Sequence, residues 1–488
     1  VAAARGEFPS SGVARDRGGR VYDALQMSDI QHGVRFDRDL VRKYDRPGPR
    51  YTSYPTAPQF RSDFGPARYA ELLADSRRQP LPLSLYVHVP FCTKRCFYCG
   101  CNVVVARDRE RGRRYVDLLA VEMEMAAEHL GAERREVVQL HWGGGTPTFL
   151  APDDLAALMA ATRASFNLAP DCEVSVEVDP RQASPEQVAV LAAAGFNRMS
   201  LGVQDLDPRV QQAVGRVQPA DLVWEVLARA RALGIGGVNV DLIYGLPHQT
   251  PASFAATLEQ VVRMAPDRLA LFNFAYLPGL FPHQKALAAE ALPDAETKLA
   301  ILERSVEDLT RAGYLFIGMD HFARPADSLA RALRQGTMTR NFQGYSTHAD
   351  TDLVGFGVSS IGKVAGGYAQ NAKELPAYRA AIEGGRLATS RGLGLSADDR
   401  LRREVIMALM CQFRLDKRPV ERRHGIAFDD YFADALEELR PLADDGLVEL
   451  HPDRLEVTAP GRLMVRNVAM AFDAYLRADA SVRYSRTV

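Results

Sequence analysis

Four of the six cysteines in this chain, Cys92, Cys96, Cys99 and Cys101, lie within ten residues in the spacing C-x3-C-x2-C-x-C. Thiolates this close on one short loop can converge on a single soft metal centre. Disulfides are a poor alternative, because Cys172 and Cys411 stand alone and nothing in the chain reads as secreted. Zinc is the first metal to weigh. Structural zinc sites usually draw on two well-separated ligand pairs, and no later C-x2-C or H-x3-H pair follows here. An iron–sulfur cluster, held by thiolates on a compact loop, fits the run better.

A loop of this kind needs a scaffold, and the flanking sequence supplies one. Apolar, β-branched runs occur at Leu83–Val89, Val137–Trp142, Glu173–Val178, Arg198–Val203, Gly237–Tyr244 and Arg268–Phe274. Helical patterns fill the intervals at Arg113–Leu130, Pro152–Phe166, Ser184–Ala194, Pro219–Leu233, Pro251–Met264 and Asp294–Ala312. Strand–helix alternation predicts βαβ units and a parallel sheet, here a partial (β/α)6 barrel in an α/β chain. Such sheets carry ligand groups on the loops after the strands. The cysteines follow the first strand, Gly143-Gly-Gly-Thr-Pro-Thr148 the second, Glu177-Val-Asp-Pro180 the third and Gln204-Asp205 the fourth. Asp241 and Gly245-Leu-Pro247 mark the fifth, and Asn273-Phe-Ala-Tyr276 the sixth. Three consecutive glycines let a ligand lie against bare backbone. Glu177 and Asp241 can accept hydrogen bonds from an ammonium or from hydroxyls, and Arg216 can pair with a carboxylate. Arg324, Arg340 and His321 are further candidates for a pocket that takes an acidic substrate.

The rest of the chain frames this barrel. At 488 residues two or three domains are expected. Residues 1–35 read as a disordered extension with Met27 as the expected start, residues 36–80 as a lead-in strap, 81–370 as the barrel with its extension, and 371–488 as a C-terminal domain. The strap's Arg46-Pro-Gly-Pro-Arg-Tyr-Thr-Ser-Tyr-Pro-Thr56 excludes regular structure. A helix is expected at Phe36–Tyr44, with Asp37 near its start. The C-terminal domain reads as helices at Leu375–Ile382, Ala397–Cys411, Val420–His424, Asp429–Asp444 and Arg462–Leu476, with a β-wing near Gly446–Thr458, so it is winged-helix-like. With 60 basic and 61 acidic residues there is no global field for nucleic acid, and the C-terminal module, mixed in charge, is read as a structural or substrate-covering lid. No apolar run is long enough to span a membrane, and a cytoplasmic location is expected.

The cysteine spacing resembles that of the radical S-adenosylmethionine (SAM) enzymes. Within them, Arg50-Tyr-Thr-Ser-Tyr-Pro-Thr-Ala57, Tyr86-Val-His-Val-Pro-Phe-Cys92, Cys99-Gly-Cys-Asn102, His141-Trp-Gly-Gly-Gly-Thr-Pro-Thr148, Glu177-Val-Asp-Pro-Arg181 and Ile317-Gly-Met-Asp-His-Phe-Ala-Arg-Pro325 resemble the oxygen-independent coproporphyrinogen III oxidase family, from about residue 36 to the C-terminus. The resemblance implies one 4Fe–4S cluster on Cys92, Cys96 and Cys99, with Cys101 not a ligand, and two molecules of SAM. It implies conversion of two propionates of coproporphyrinogen III to vinyl groups, with release of CO2, through hydrogen abstraction by a 5′-deoxyadenosyl radical. By position Tyr86, Gly144, Glu177 and Ile361 match contacts to one SAM, and Tyr98, Gly145, Thr146, Gln204, Arg216, Asp241 and Ala275 match contacts to the other. Phe342 and Gln343 match residues near the radical site, and Arg50 is placed to gate or bind substrate carboxylates. An electron donor such as flavodoxin or ferredoxin and a monomeric enzyme are expected. The rival in the same superfamily is a haem chaperone, which typically has phenylalanine at the position of Cys101 and lacks the Tyr-Thr-Ser-Tyr-Pro strap.

Overall fold

The computed structural model describes residues 33–132, 135–349 and 351–478, together with Tyr484, Arg486 and Thr487. The expected disordered extension, as far as residue 32, and the expected start at Met27 lie outside the described residues.

One twelve-stranded sheet organises the chain. Its strands, in chain order, are β1 Leu83–Val89, β2 Glu136–Gly144, β3 Asn167–Val178, β4 Arg198–Gln204, β5 Gly237–Tyr244, β6 Arg268–Asn273, β7 Leu315–Gly318, β8 His321–Ala323, β9 Asp352–Phe356, β10 Ile361–Val364, β11 Gly367–Asn371 and β12 Thr389–Gly394. β1 to β6 are neighbours in order and all parallel, each followed by a helix. The helices are Glu110–Leu130, Pro152–Ser165, Pro185–Ala193, Ala220–Ala232, Pro251–Met264 and Ala295–Arg311. This is the six-unit barrel the alternation predicts. Helix starts follow local chemistry. Ser184 and Thr250 form capping boxes ahead of Pro185 and Pro251, and Asp294 accepts from Thr297 N at 2.8 Å.

From Cys172 onward β3, and all of β4 and β5, alternate in burial, whereas strands covered on both faces usually read as unbroken apolar runs. In β5 the buried set is Val238, Val240, Leu242 and Tyr244, and the other face carries Asn239 and Asp241. In β3 Val174, Val176 and Val178 alternate with Glu173, Ser175 and Glu177. The apolar set meets the helices, while the polar set lines the barrel's inner side. At the base of that lining Gln139 donates to Glu173 at 3.0 Å, and Asp327 holds Arg268 at 2.8 Å and Arg198 at 3.2 Å. Buried charges persist there because each has its counter-charge.

The sheet extends beyond the six units on both sides. β9 pairs in parallel with β1, and β10, β11 and β12 continue antiparallel from it. β8 and β7 add to the far edge beyond β6. The sheet therefore runs past residue 370, the expected domain boundary, to Gly394. The sequence reading of residues after 375 as mainly helical misses β12, whose Thr389-Ser-Arg-Gly-Leu-Gly has only a weak strand pattern.

The lead-in segment holds one more helix than expected. Helix Arg38–Tyr44 forms with Asp37 as its cap, but a second helix, Pro66–Asp75, buries Tyr69, Leu72 and Leu73. The strap is a buried element. Tyr51 and Tyr54 are fully buried, Tyr51 donates to Asp473 at 3.0 Å, and Arg466 donates to Pro49 O at 2.9 Å. These contacts tie the strap to the C-terminal region. That region contains the expected helices Leu375–Glu383, Ala397–Gln412, Lys417–His424 and Ala433–Asp444, with a short turn of helix at Phe428–Tyr431. The wing gains a third strand, Arg414–Asp416, beside Arg454–Val457 and Val448–Leu450. The expected single helix Arg462–Leu476 is instead broken into Gly461–Met464, Val465–Met470 and Ala474–Ala478. Asp473 breaks it by accepting from the backbone of Tyr475 and from Tyr51, a cap that periodicity alone does not reveal. Among the described residues no helix is long and apolar enough to cross a membrane.

Candidate active site

The cysteine loop leaves β1 through a two-residue ribbon. Phe91–Cys92 pairs in parallel with Val104–Val105, so the loop's two ends are clamped side by side. Ala106 N donates to Cys92 O at 3.0 Å, and Val104 N to Pro90 O at 2.8 Å. The loop's tip is held from elsewhere in the barrel. Phe97 N donates to Val214 O at 3.0 Å, and His283 Nε2 lies 2.7 Å from Cys99 O. None of the six cysteines forms a disulfide.

The glycine run fixes the base of this loop. Gly145 N donates to Val89 O at 2.8 Å and Thr146 N to Phe91 O at 3.0 Å. A Cβ on Gly145 would meet Phe91 O at 2.6 Å and Pro90 O at 2.7 Å, and Gly144 has φ +119. Bare backbone is required because the second strand's exit presses directly on the first. Gly145→Ala is therefore expected to displace the Pro90–Cys92 segment. It should lower iron retention after anaerobic reconstitution and cost about 1–3 kcal/mol of stability by overpacking. Iron content with thermal unfolding measures both, and wild-type values for both would show that the contact is not critical.

Two arginines and an aspartate surround Cys96. Arg181 approaches the Cys96 sulfur at 3.4 Å and Arg216 at 3.6 Å, and both pair with Asp179, at 2.7 and 3.1 Å. Burial works against ionisation of Asp179, but Arg216 and Arg181 hold its carboxyl down to about 2. Burial pushes the Cys92 thiol up to about 12, whereas a hydrogen bond from Cys101 draws Cys99 down to about 6. Tyr98 lies beside Arg216 and Cys96, where burial raises its hydroxyl well above the usual range. Arg181 and Asp179 are functional neighbours that the sequence reading quotes only as motif letters. The signal was there in Glu177-Val-Asp-Pro-Arg181, but not the direction of the side chains.

Next to the loop opens a cavity of about 460 Å³ lined by Tyr86, Gly144, Glu177, Phe342, Gln343 and Ile361 together with His88, Cys101, Asn102 and His141. The volume suits a small-molecule site, roughly 300–1,000 Å³. One complete expected contact set, Tyr86, Gly144, Glu177 and Ile361, thus lines the same cavity as the two residues expected near the radical site. Tyr86 stacks on His141, with ring centroids 5.9 Å apart, and its hydroxyl lies 2.9 Å from His88 Nδ1. Glu177 accepts from Gly144 N at 3.1 Å and lies 3.3 Å from His141 Nε2, yet its side chain stays 45% exposed toward the cavity. Burial opposes its ionisation, but His141 and the Gly144 amide hold its carboxyl below the ordinary range.

The second expected set is more dispersed. Gln204 adopts φ +66, its Oε1 is buried without a partner, and it sits over Gly202 beside Arg216. Asp241 accepts from Ser200 at 2.9 Å and Asn239 at 2.8 Å, and burial with the nearby Glu177 raises it to about 6. Thr146 is fully buried, and its hydroxyl bonds Thr148 and Asp179 N, which makes it a tie between loops. Ala275 lines a different cavity, of about 340 Å³, together with Arg50, Lys298 and Arg466. Arg50 pairs there with Asp320 and is not in the wall of the Tyr86 cavity. Arg340 and His321 lie near Arg50, with Arg340 Nε donating to Arg50 O at 3.3 Å. Arg324 is elsewhere. It stacks on Tyr314 and donates to Pro266 O at 3.1 Å, at the opposite end of β6 from the cysteine loop.

The residues present fit an iron–sulfur cluster and an adenosylated amino acid. Three soft donors share one loop, the buried polar atoms Gln204 Oε1, Arg216 Nε and Gln343 Nε2 lack partners, and the glycine run leaves backbone exposed to a ligand.

The comparisons agree with this geometry. Residues 86–261 match the model of the Radical SAM superfamily, and residues 395–464 match the HemN C-terminal domain. The barrel and cysteine loop define a radical SAM protein. At the level of whole chains, the oxygen-independent coproporphyrinogen III oxidase of Salmonella typhimurium is 49% identical over 463 residues, 95% of this chain and 100% of that protein. The Escherichia coli protein of the same name is 47% identical over 456 residues, covering 93% of this chain and 99% of its own. The solved structure of coproporphyrinogen III oxidase (HemN) from Escherichia coli, a radical SAM enzyme, superposes with a TM-score of 0.86 at 47% identity. It spans 91% of this chain and 100% of that one. The chain belongs to the oxygen-independent coproporphyrinogen III oxidase family.

Proposed function

We propose that this chain oxidises coproporphyrinogen III without oxygen in porphyrin biosynthesis, as a radical SAM enzyme with one 4Fe–4S cluster and SAM as cofactor. The observation that carries the reading is the single cavity shared by the cysteine loop's Cys101, by Tyr86 and Glu177 and by Phe342 and Gln343. It sits in a chain that matches named oxidases over almost its full length. The haem-chaperone alternative has no such support.

The loop's Cys92, Cys96 and Cys99 are the ligands for the cluster. Bound together, cluster and SAM supply one-electron chemistry strong enough to remove a hydrogen atom from an unactivated C–H bond. Every other task falls to side chains of this chain. Glu177 offers a carboxylate to the SAM ammonium, and its bond from Gly144 N keeps it aimed across the glycine run. Arg181 and Arg216 place positive charge against Cys96, which offsets thiolate charge at the cluster. Phe342 and Gln343 line the same cavity as Tyr86, where a propionate side chain would lie. Making each vinyl group removes one hydrogen atom, one electron and CO2 from a propionate. The protein must therefore hold the β-carbon close and supply no competing hydrogen source.

Three finer readings go with this one. A reduced protein carrier supplies the electron. The chain is read as working as a monomer. The location is cytoplasmic, in keeping with six unpaired cysteines. The test is anaerobic reconstitution followed by incubation with reductant, SAM and coproporphyrinogen III, with chromatography of the porphyrin products. Formation of protoporphyrinogen IX is expected. Tight haem binding without product would overturn the oxidase reading.

A further inference from the structure

We propose that the exposed basic collar around the cysteine loop is the docking surface for a small acidic one-electron carrier protein. This rests on the redox reading above. Between residues 94 and 114 the chain carries Lys94, Arg95, Arg107, Arg109, Arg111, Arg113 and Arg114 against only Asp108 and Glu110, although the whole chain balances 60 basic with 61 acidic residues. All but Arg95 are exposed. Arg113 pairs with Asp154, Arg114 reaches Asp108 and Arg111 lies over the Phe91 ring. Lys94, Arg107 and Arg109 have no acidic partner among the described residues.

Local stability does not explain this placement. Arg109 caps, and Arg111 and Arg113 begin, the helix Glu110–Leu130. Cations at a helix N-terminus face the positive end of its dipole, where acidic residues are the stabilising choice. The positive charge is therefore directed outward. It is also next to the redox centre. Val105 is the register partner of Cys92, Ala106 N bonds Cys92 O, and Arg107 follows at once.

Apolar surface accompanies the charge. Val105 is 49% exposed beside Cys92, and Val217 is 58% exposed one residue after Arg216, whose guanidinium meets Cys96. Leu280 is 69% exposed just before His283, which holds Cys99 O. An apolar patch with a charged rim is the make-up of a protein interface, and the charges steer encounter and fix orientation. The partner is accordingly acidic at its rim. In the step itself the carrier loses one electron and the cluster gains it, with no bond or proton exchanged.

The experiment uses the reconstituted full chain and a bacterial flavodoxin as probe. Binding is measured by calorimetry at low and high ionic strength, and cluster reduction by stopped-flow absorbance without SAM or substrate. Arg107→Glu/Arg109→Glu is compared with Arg418→Glu/Arg422→Glu, an exposed basic pair on the C-terminal helix Lys417–His424. We expect salt to weaken wild-type binding and the collar reversal to weaken it and slow reduction roughly tenfold or more. The distant reversal should change neither, and turnover with dithionite should be unchanged in both variants. Equal effects of the two reversals, or binding indifferent to salt, would overturn the docking site. So would a wild-type dimer or oligonucleotide complex that the collar reversal abolishes. If dithionite supports no product even in the wild type, the oxidase reading fails, while the binding measurement still judges the collar.

Discussion

Cys99→Ser is expected to leave the reconstituted chain without a stable four-iron cluster and without turnover. The reason is ligand chemistry. Iron in such clusters is held by thiolates, and a serine hydroxyl is a harder donor that gives up its proton far less readily. Cys92 and Cys96 are already assigned as ligands, and the remaining thiol of the loop, Cys101, is turned toward the cavity. Iron and sulfide analysis with electron paramagnetic resonance of the reduced protein reads the result directly. The companion variant Cys101→Ser should keep a full cluster, because the fourth cysteine sits outside the ligand set. The reverse pattern, full iron in Cys99→Ser and loss in Cys101→Ser, would show that the ligands are assigned wrongly.

Glu177→Gln should weaken SAM binding by about 10- to 100-fold while iron content stays at wild type. Glu177 reaches the cavity from the end of β3, half exposed, with one oxygen near His141 and the other accepting from Gly144 N. Its remaining lone pairs face the space where an ammonium would sit. A hydrogen bond to a charged group contributes about 1.5–3 kcal/mol, and every 1.4 kcal/mol is tenfold in affinity. Glutamine removes the charge, and in one of its two orientations sets an N–H against Gly144 N–H. Equilibrium binding of SAM to the reconstituted chain, followed by calorimetry, measures the loss directly. Unchanged affinity would remove Glu177 from the cofactor site and leave it a strand-end tie between β2 and β3.

Much of the molecule could be read in one dimension. The spacing of Cys92, Cys96 and Cys99 is a local property, since ligands on one short loop need no distant chain to bring them together. β1 and β5 match their expected limits, and the other four strands of the barrel and its helices differ mainly at their ends. Alternation of valines with Ser175, Glu177, Asn239 and Asp241 marks a sheet with one apolar and one polar face, and proline with a capping residue marks the helix starts. These signals depend on neighbours a few residues apart.

What the tertiary structure alone decided depends on contacts between distant residues. The glycines of Gly143–Gly145 read in sequence as a bed for a ligand, and the fold shows Gly145 equally required by the backbone of Phe91 and Pro90, and Gly144 by that of Val89. The sequence marks the strap only as irregular, and what buries Tyr51 and Tyr54 is distant chain, where Asp473 takes the Tyr51 hydroxyl. Arg324, Arg340, His321 and Arg50 look alike as candidates for an acidic ligand. Only packing separates Arg324, turned to Pro266 below the barrel, from Arg340, held against the strap. Residue type and spacing determine which chemistry is available. The direction of a side chain, and the partner that has already claimed it, are set by elements hundreds of residues away.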